Sequence, residues 1–165
     1  MSLTVRPLTL EWWPELEGLF GRSRAENKHD LRQLAGSEQP PGLLAFDGNL
    51  AVGWCELALR ADLAWLGHLR YLGPVDDLPV WSLACFYVRR THRAQGVMDE
   101  LIEAAVPVAA KAGAPALEAY PVDTAVPAHT TNLFPGIAAV FARHGFEVVA
   151  RRKPDRPVMR RDLSG

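Results

Sequence analysis

The order and spacing of apolar residues predict an α/β fold class, a single domain spanning residues 1–165 and built on a mixed sheet, and three stretches carry that prediction. Val80-Trp-Ser-Leu-Ala-Cys-Phe-Tyr-Val88 is an apolar, aromatic-rich run bounded by charge, which reads as a buried strand. It breaks into the cationic turn Arg89-Arg-Thr-His-Arg-Ala-Gln-Gly-Val-Met98, after which the apolar spacing becomes Val97, Leu101, Ile102, Ala105, Val106, which is helical. Leu43-Leu-Ala-Phe46 and Leu50 to Leu59 flank Asp47-Gly48-Asn49, and Asp-Gly between apolar runs supplies the positive φ of a hairpin turn.

Leu3-Thr-Val-Arg-Pro7 alternates as a first strand. Thr9 is placed to cap a helix with Trp12, Leu16, Leu19 and Phe20 on one face, stopped by Gly21. From Ser23 to Gln39 a faint helical period ends at Pro40-Pro41-Gly42. The hairpin supplies strands two and three. Residues 60–79 have no firm assignment, and a connection of that length is a candidate lid or acceptor-side loop. After the strand at 80–88, a helix runs from about Gly96 to Ala112, interrupted by Pro107 and ended by Gly113. Ala116-Leu-Glu-Ala-Tyr120 is a fifth strand, and Val122 to Leu133 is loop. A last helix runs from about Pro135 to His144, with the proline in its first turn. Phe146 to Ala150 and Pro157 to Leu163 are two closing strands joined at Lys153-Pro-Asp-Arg156.

A composition of 48% hydrophobic and 22% charged residues is that of a globular chain able to bury a core. The formal net charge of −1 argues against duplex nucleic acid or an anionic membrane as partner, since either needs a broad excess of Lys and Arg. No signal-peptide core and no long apolar run is present, so a soluble, cytoplasmic protein is expected. Cys55 and Cys85 sit in apolar runs and read as two buried thiols, and no spacing suits a metal.

The turn after Val88 is built to hold an anion. Unpaired N–H groups and the positive end of the macrodipole gather at the helix start, Arg89, Arg90 and Arg93 add charge, and Gly96 leaves room for close backbone approach. Arg93-Ala-Gln-Gly96-Val-Met98 resembles the pyrophosphate motif of the GNAT N-acetyltransferase superfamily, Gln/Arg-x-x-Gly-x-Gly/Ala. Arg93 and Gly96 match; Met98 stands where the family prefers Gly or Ala, and Ala94 where a first glycine is common. Ile137 to Phe146 also resembles the family's last helix, with its aromatic-x-x-x-Gly-Phe/Tyr ending, and the element order agrees along most of the chain.

The resemblance implies a central, mostly antiparallel sheet of about six or seven strands flanked by about four helices, and acetyl-CoA as co-substrate. It implies that Phe86, Tyr87 and Val88 present backbone groups to the pantetheine arm, while Arg93, Ala94, Gln95, Gly96, Val97 and Met98 wrap the pyrophosphate. Met98 either crowds the phosphates or points into the core. The reaction implied is acetyl transfer to a small-molecule amine by direct attack, and the superfamily's habits leave room for a homodimer.

Deprotonating that amine calls for a base, directly or through water. Glu118 is the first candidate, an ionisable residue in a short strand inside the sheet, and alternation puts Tyr120 on its face. Pairing of Glu118 with an arginine is equally consistent with its position. Glu56, Asp123 and His129 are lesser candidates. Phe141 stands where many relatives carry a thiolate-protonating Tyr, leaving that role to Tyr120, Tyr87 or water, or to none. Trp12, Trp13, Trp81 and Tyr120 suggest an aromatic-walled pocket, and the arginines of the last hairpin read as solvated charge. The rival expectation is a non-catalytic relative that binds acyl-CoA or a partner protein.

Overall fold

The Gly48-Asn49 turn joins β2 (Gly42–Asp47) to β3 (Leu50–Leu59), as its φ of +59° at Gly48 requires. We describe the chain from a computed structural model covering residues 2–21 and 31–164. Around that hairpin lie β1 (Leu3–Pro7), β4 (Trp81–Val88), β5 (Ala116–Ala119), β6 (Glu147–Lys153) and β7 (Arg156–Asp162). Among the described residues these form one seven-stranded sheet in the order β1-β2-β3-β4-β5-β7-β6. Every neighbouring pair is antiparallel except β4 with β5.

Helix α2 (Val97–Lys111) lays Val97, Leu101, Ile102, Ala105 and Ala109 on one face of the sheet, in the main core with Phe86, Leu117 and Phe141. Its N-terminus comes so near β3 that a Cβ on Gly53 would stand 2.5 Å from Val97 Cγ1, so only glycine fits there. The other face is covered by α1 (Trp13–Phe20), which buries Trp13, Leu16, Leu19 and Phe20. Trp13 rather than Trp12 is the buried indole, because a 3-10 turn over Leu10–Trp12 shifts the helical phase. Trp12 instead meets Phe46 edge-on at 5.3 Å, with Arg6 over its ring. Thr9 precedes that turn but makes no side-chain cap. The expected second helix falls in part on residues 22–30, outside the described residues; its end, 31–35, is helical.

Two expectations need correction. Residues 60–72 are not irregular loop: they form three short 3-10 turns, and Leu66 and Leu72 are fully buried with Tyr120 and Val158 in a third cluster. Each such leucine contributes about 1.5–3 kcal/mol. The last helix, α3 (Ala138–Arg143), starts later than Pro135, because Gly136 has φ +95° and Ile137 is extended. Among the described residues no helix is long and apolar enough to cross a membrane.

Candidate functional site

Gly96 turns the chain into α2 at φ +84°, a conformation glycine adopts without steric cost. A Cβ there would meet no atom within 4 Å, so the space beside it is open. From Arg93 to Asp99 no backbone N–H finds a backbone acceptor among the described residues; the next donor, Glu100, reaches the Gly96 carbonyl at 3.1 Å. These amides lie at the positive end of a 15-residue helix. The cationic side chains divide the work. Arg89 ties the turn to β3, its Nε donating to the Ala51 carbonyl at 3.0 Å, whereas Arg93 donates its Nε to the Val88 carbonyl at 3.2 Å and lines a cleft of about 520 Å³.

Phe86, Val88, Ala94, Gly96, Val97 and Met98 line the same cleft, and residues 131–134 form its far wall. Gln95 is not in the lining; its Nε2 donates to the Thr91 carbonyl at 3.1 Å. His92, which sequence reasoning passed over, is in it, held by Asp47 at 3.0 Å. Met98 both lines the cleft, with its methyl beside Gly136, and packs against the main core.

β4 and β5 pair only at Trp81–Leu83 against Leu117–Ala119, and β4 continues to Val88 without a β5 partner. The splay begins at a bulge, where Cys85 and Phe86 oppose the single residue Cys55 and Cys85 takes φ +54°. Residues 131–136 cross this gap as a strap. The Phe86 N–H donates to the Phe134 carbonyl at 2.7 Å, and the Phe134 ring stacks on Tyr87. Phe86 therefore holds a partner where an unoccupied amide was expected. Tyr87 does not present its amide to the gap: Arg89 N–H bonds Val52 on β3, and strand alternation sends those of Phe86 and Val88 the other way.

On the far side of the strap lies a pocket of about 200 Å³, lined by Trp65, Ala84, Cys85, Tyr120, Asn132 and Arg156 among others. Cys85 is thus a half-buried pocket residue rather than core, while Cys55 is fully buried and its thiol pushed up by that burial. Tyr120 donates to Glu118 Oε1 at 3.1 Å and, its one hydrogen spent, accepts from Ser82 Oγ at 2.6 Å. Burial, then the Glu118 charge, pushes the Tyr120 phenol well up.

Glu118 is 1% exposed, with Arg160 Nη2 2.8 Å from Oε2 and Arg60 Nε 3.7 Å from Oε1. The structure brings the two expected catalytic residues together and ties both into one ion-paired network. Glu56 lines a different pocket, beside Trp81; Asp123 pairs with Arg151, and His129 turns to the Thr130 carbonyl.

A family model described as Acetyltransferase (GNAT) family matches residues 6–134, from within β1 to within the strap. The chain belongs to the GNAT acetyltransferase family. No sequence among curated proteins matches it. Solved structures share the GNAT fold at low identity. The GNAT domain of S. lividans PAT matches with TM-score 0.67 and 18% identity, over 98% of this chain and 90% of that one. The PaiA N-acetyltransferase from Thermoplasma acidophilum, in complex with coenzyme A, gives 0.57 and 15%, over 98% and 99%. The GCN5-related N-acetyltransferase from Kribbella flavida gives 0.59 and 14%, over 89% of this chain but only 33% of that one.

In the 200 Å³ pocket of this GNAT chain, Trp65 and Arg156 escaped sequence reasoning. Trp65 sat in the unassigned stretch. Arg156 was read with the solvated hairpin charges, yet it is 8% exposed, because residues 60–79 cover the start of β7 and place Tyr71 beside its guanidinium.

Proposed function

We propose that this GNAT protein is an acetyl-CoA-dependent N-acetyltransferase acting on a small amine by direct attack in a ternary complex. The observation that carries this reading is the row of unbonded amides from Arg93 to Asp99, opening beside Gly96 onto a 520 Å³ cleft. Diphosphate oxygens suit that row, with Arg93 adding charge. The cleft leads to the splayed part of β4, where Phe86 and Val88 face the gap. The Phe134 carbonyl already occupies the Phe86 amide, so binding the pantetheine arm is coupled to displacement of the strap. A reducing cytoplasm suits two cysteines that form no disulfide among the described residues.

In the reaction the amine nitrogen attacks the thioester carbonyl carbon. The C–N bond forms, the C–S bond breaks, and the electron pair leaves on sulfur. A gap-facing amide of β4 is the donor to the oxyanion. Among the described residues the 200 Å³ pocket has no carboxylate or imidazole in its lining, so water takes the amine proton. A thiol pKa of about 8.5 lets the thiolate leave unassisted. Tyr120 lines this pocket and Glu118, which lines a separate one, holds the Tyr120 hydroxyl, so both act as positioning residues.

Thiol release from acetyl-CoA across an amine panel tests the reading. Wild type turns over at least one amine; Gly96→Val, strained by roughly 1–2 kcal/mol at this φ and blocking the open side, raises the KM for acetyl-CoA about tenfold or more. A wild-type chain that fails to bind CoA ends the proposal.

A further inference from the structure

Resting on the transferase reading, we propose that the 200 Å³ pocket is the acceptor site and that it takes a carboxylate-bearing amine of amino-acid size, with the carboxylate on Arg156.

Arg156 is 8% exposed, and its Nη2 donates to the Tyr120 carbonyl at 3.0 Å. Its Nε is buried with no hydrogen-bond partner, and Arg156 forms no ion pair among the described residues. The carboxylates around it are taken. Glu118 and Asp76 share Arg160, Asp123 pairs with Arg151, and Asp155 accepts from Thr130. A buried cation with no carboxylate partner is costly unless something compensates it, and a carboxylate held in the pocket supplies the opposite charge.

The rest of the pocket fits such a molecule. Trp65, Leu69, Phe134 and Pro135 give an apolar wall for a side chain. Ala84 and Cys85 mark the bulge where β4 leaves β5, so an amine at that end faces the gap while the carboxylate lies at Arg156. The volume of about 200 Å³ leaves room for one amino acid. A polyamine would bring a second cation toward Arg156, and a protein terminus has no α-carboxylate to offer it.

The test compares amino acids with their amides and with the amines left by decarboxylation, in thiol release by the full chain. Amino acids are expected to show kcat/KM about 10- to 100-fold above the matched amides, the range of one hydrogen bond to a charged group. In Arg156→Met they should fall to the amide level, with the KM for acetyl-CoA unchanged. Equal use of amino acid and amide by wild type overturns the subsite whatever the variant does.

Should no amine turn over, calorimetric titration with N-acetyl amino acids in the presence of CoA decides: binding that their amides do not share supports the subsite, and its absence overturns it. CoA titration keeps the two readings apart. A chain that binds CoA but ignores the carboxylate loses only the acceptor subsite, and one that binds N-acetyl amino acids but not CoA loses only the transferase.

Discussion

Glu118 accepts three hydrogen bonds on its two carboxylate oxygens. One oxygen takes the Tyr120 hydroxyl and faces Arg60; the other takes Nε and Nη2 of Arg160 at 3.1 and 2.8 Å. Glu118→Gln leaves two largely buried guanidiniums facing a neutral amide, and a loss of about 3–5 kcal/mol is expected in denaturant unfolding. The KM for acetyl-CoA stays unchanged in whatever folds; a stable variant with a collapsed kcat would restore Glu118 as the base. Alternation along one strand was enough to put Glu118 and Tyr120 on one face. The partners were not legible, because Arg160 reaches Glu118 only through the β5–β7 register, a pairing between segments far apart in sequence. Arg156 and Arg151 look alike in a basic hairpin, and only the packing of residues 60–79 makes one buried and the other half exposed.

The strap is fixed at several points along its length. Thr130, just before it, gives both its N–H and its hydroxyl to Asp155 Oδ2 at 2.6 Å, and Val122 forms a parallel bridge with Ile137 just after it. The Thr130 hydroxyl, then its amide, holds the Asp155 carboxyl below the usual range. Asp155→Ala is expected to speed amide exchange through residues 123–134 while leaving the β5–β7 ladder protected, read by hydrogen-exchange mass spectrometry. Unchanged exchange there would mean that the strap is held elsewhere. Elements with a strong period or an explicit turn were legible: the hairpin at Gly48, the strand at 81–88 and the helix after Gly96. The 3-10 turns of 60–72 and the delayed start of α3 were not, since short turns show no apolar period and Gly136 permits extended chain where Pro135 suggested helix.

At the scale of the whole molecule, one surface clamp ties α2 to the chain after α3. His144 Nε2 is 2.7 Å from Asp99 and Nδ1 2.5 Å from Glu103, with Arg143 also on Asp99. Partial burial works against the imidazolium, yet the hydrogen bonds with Asp99 and Glu103 raise its pKa above the usual 6.5. Asp99 likewise falls below 3.8, its partial burial outweighed by His144 and Arg143. A raised histidine stabilises in full below its unfolded pKa and stops doing so as pH climbs through the folded one; a lowered aspartate loses its share as pH falls through its own folded value. The Tm advantage of wild type over His144→Gln is therefore expected to be larger near about pH 6 than near about pH 9. A difference that does not vary with pH would show the clamp to be uncharged.

The bond from Phe86 to the Phe134 carbonyl has a consequence for the protein at rest. A strand that parts from its neighbour bares backbone donors just as a sheet margin does, and bare donors invite pairing by a strand from another molecule. With its own strap seated there, the splayed part of β4 offers one less anchor to such a stranger, and the cleft stays available without becoming a seed for aggregation.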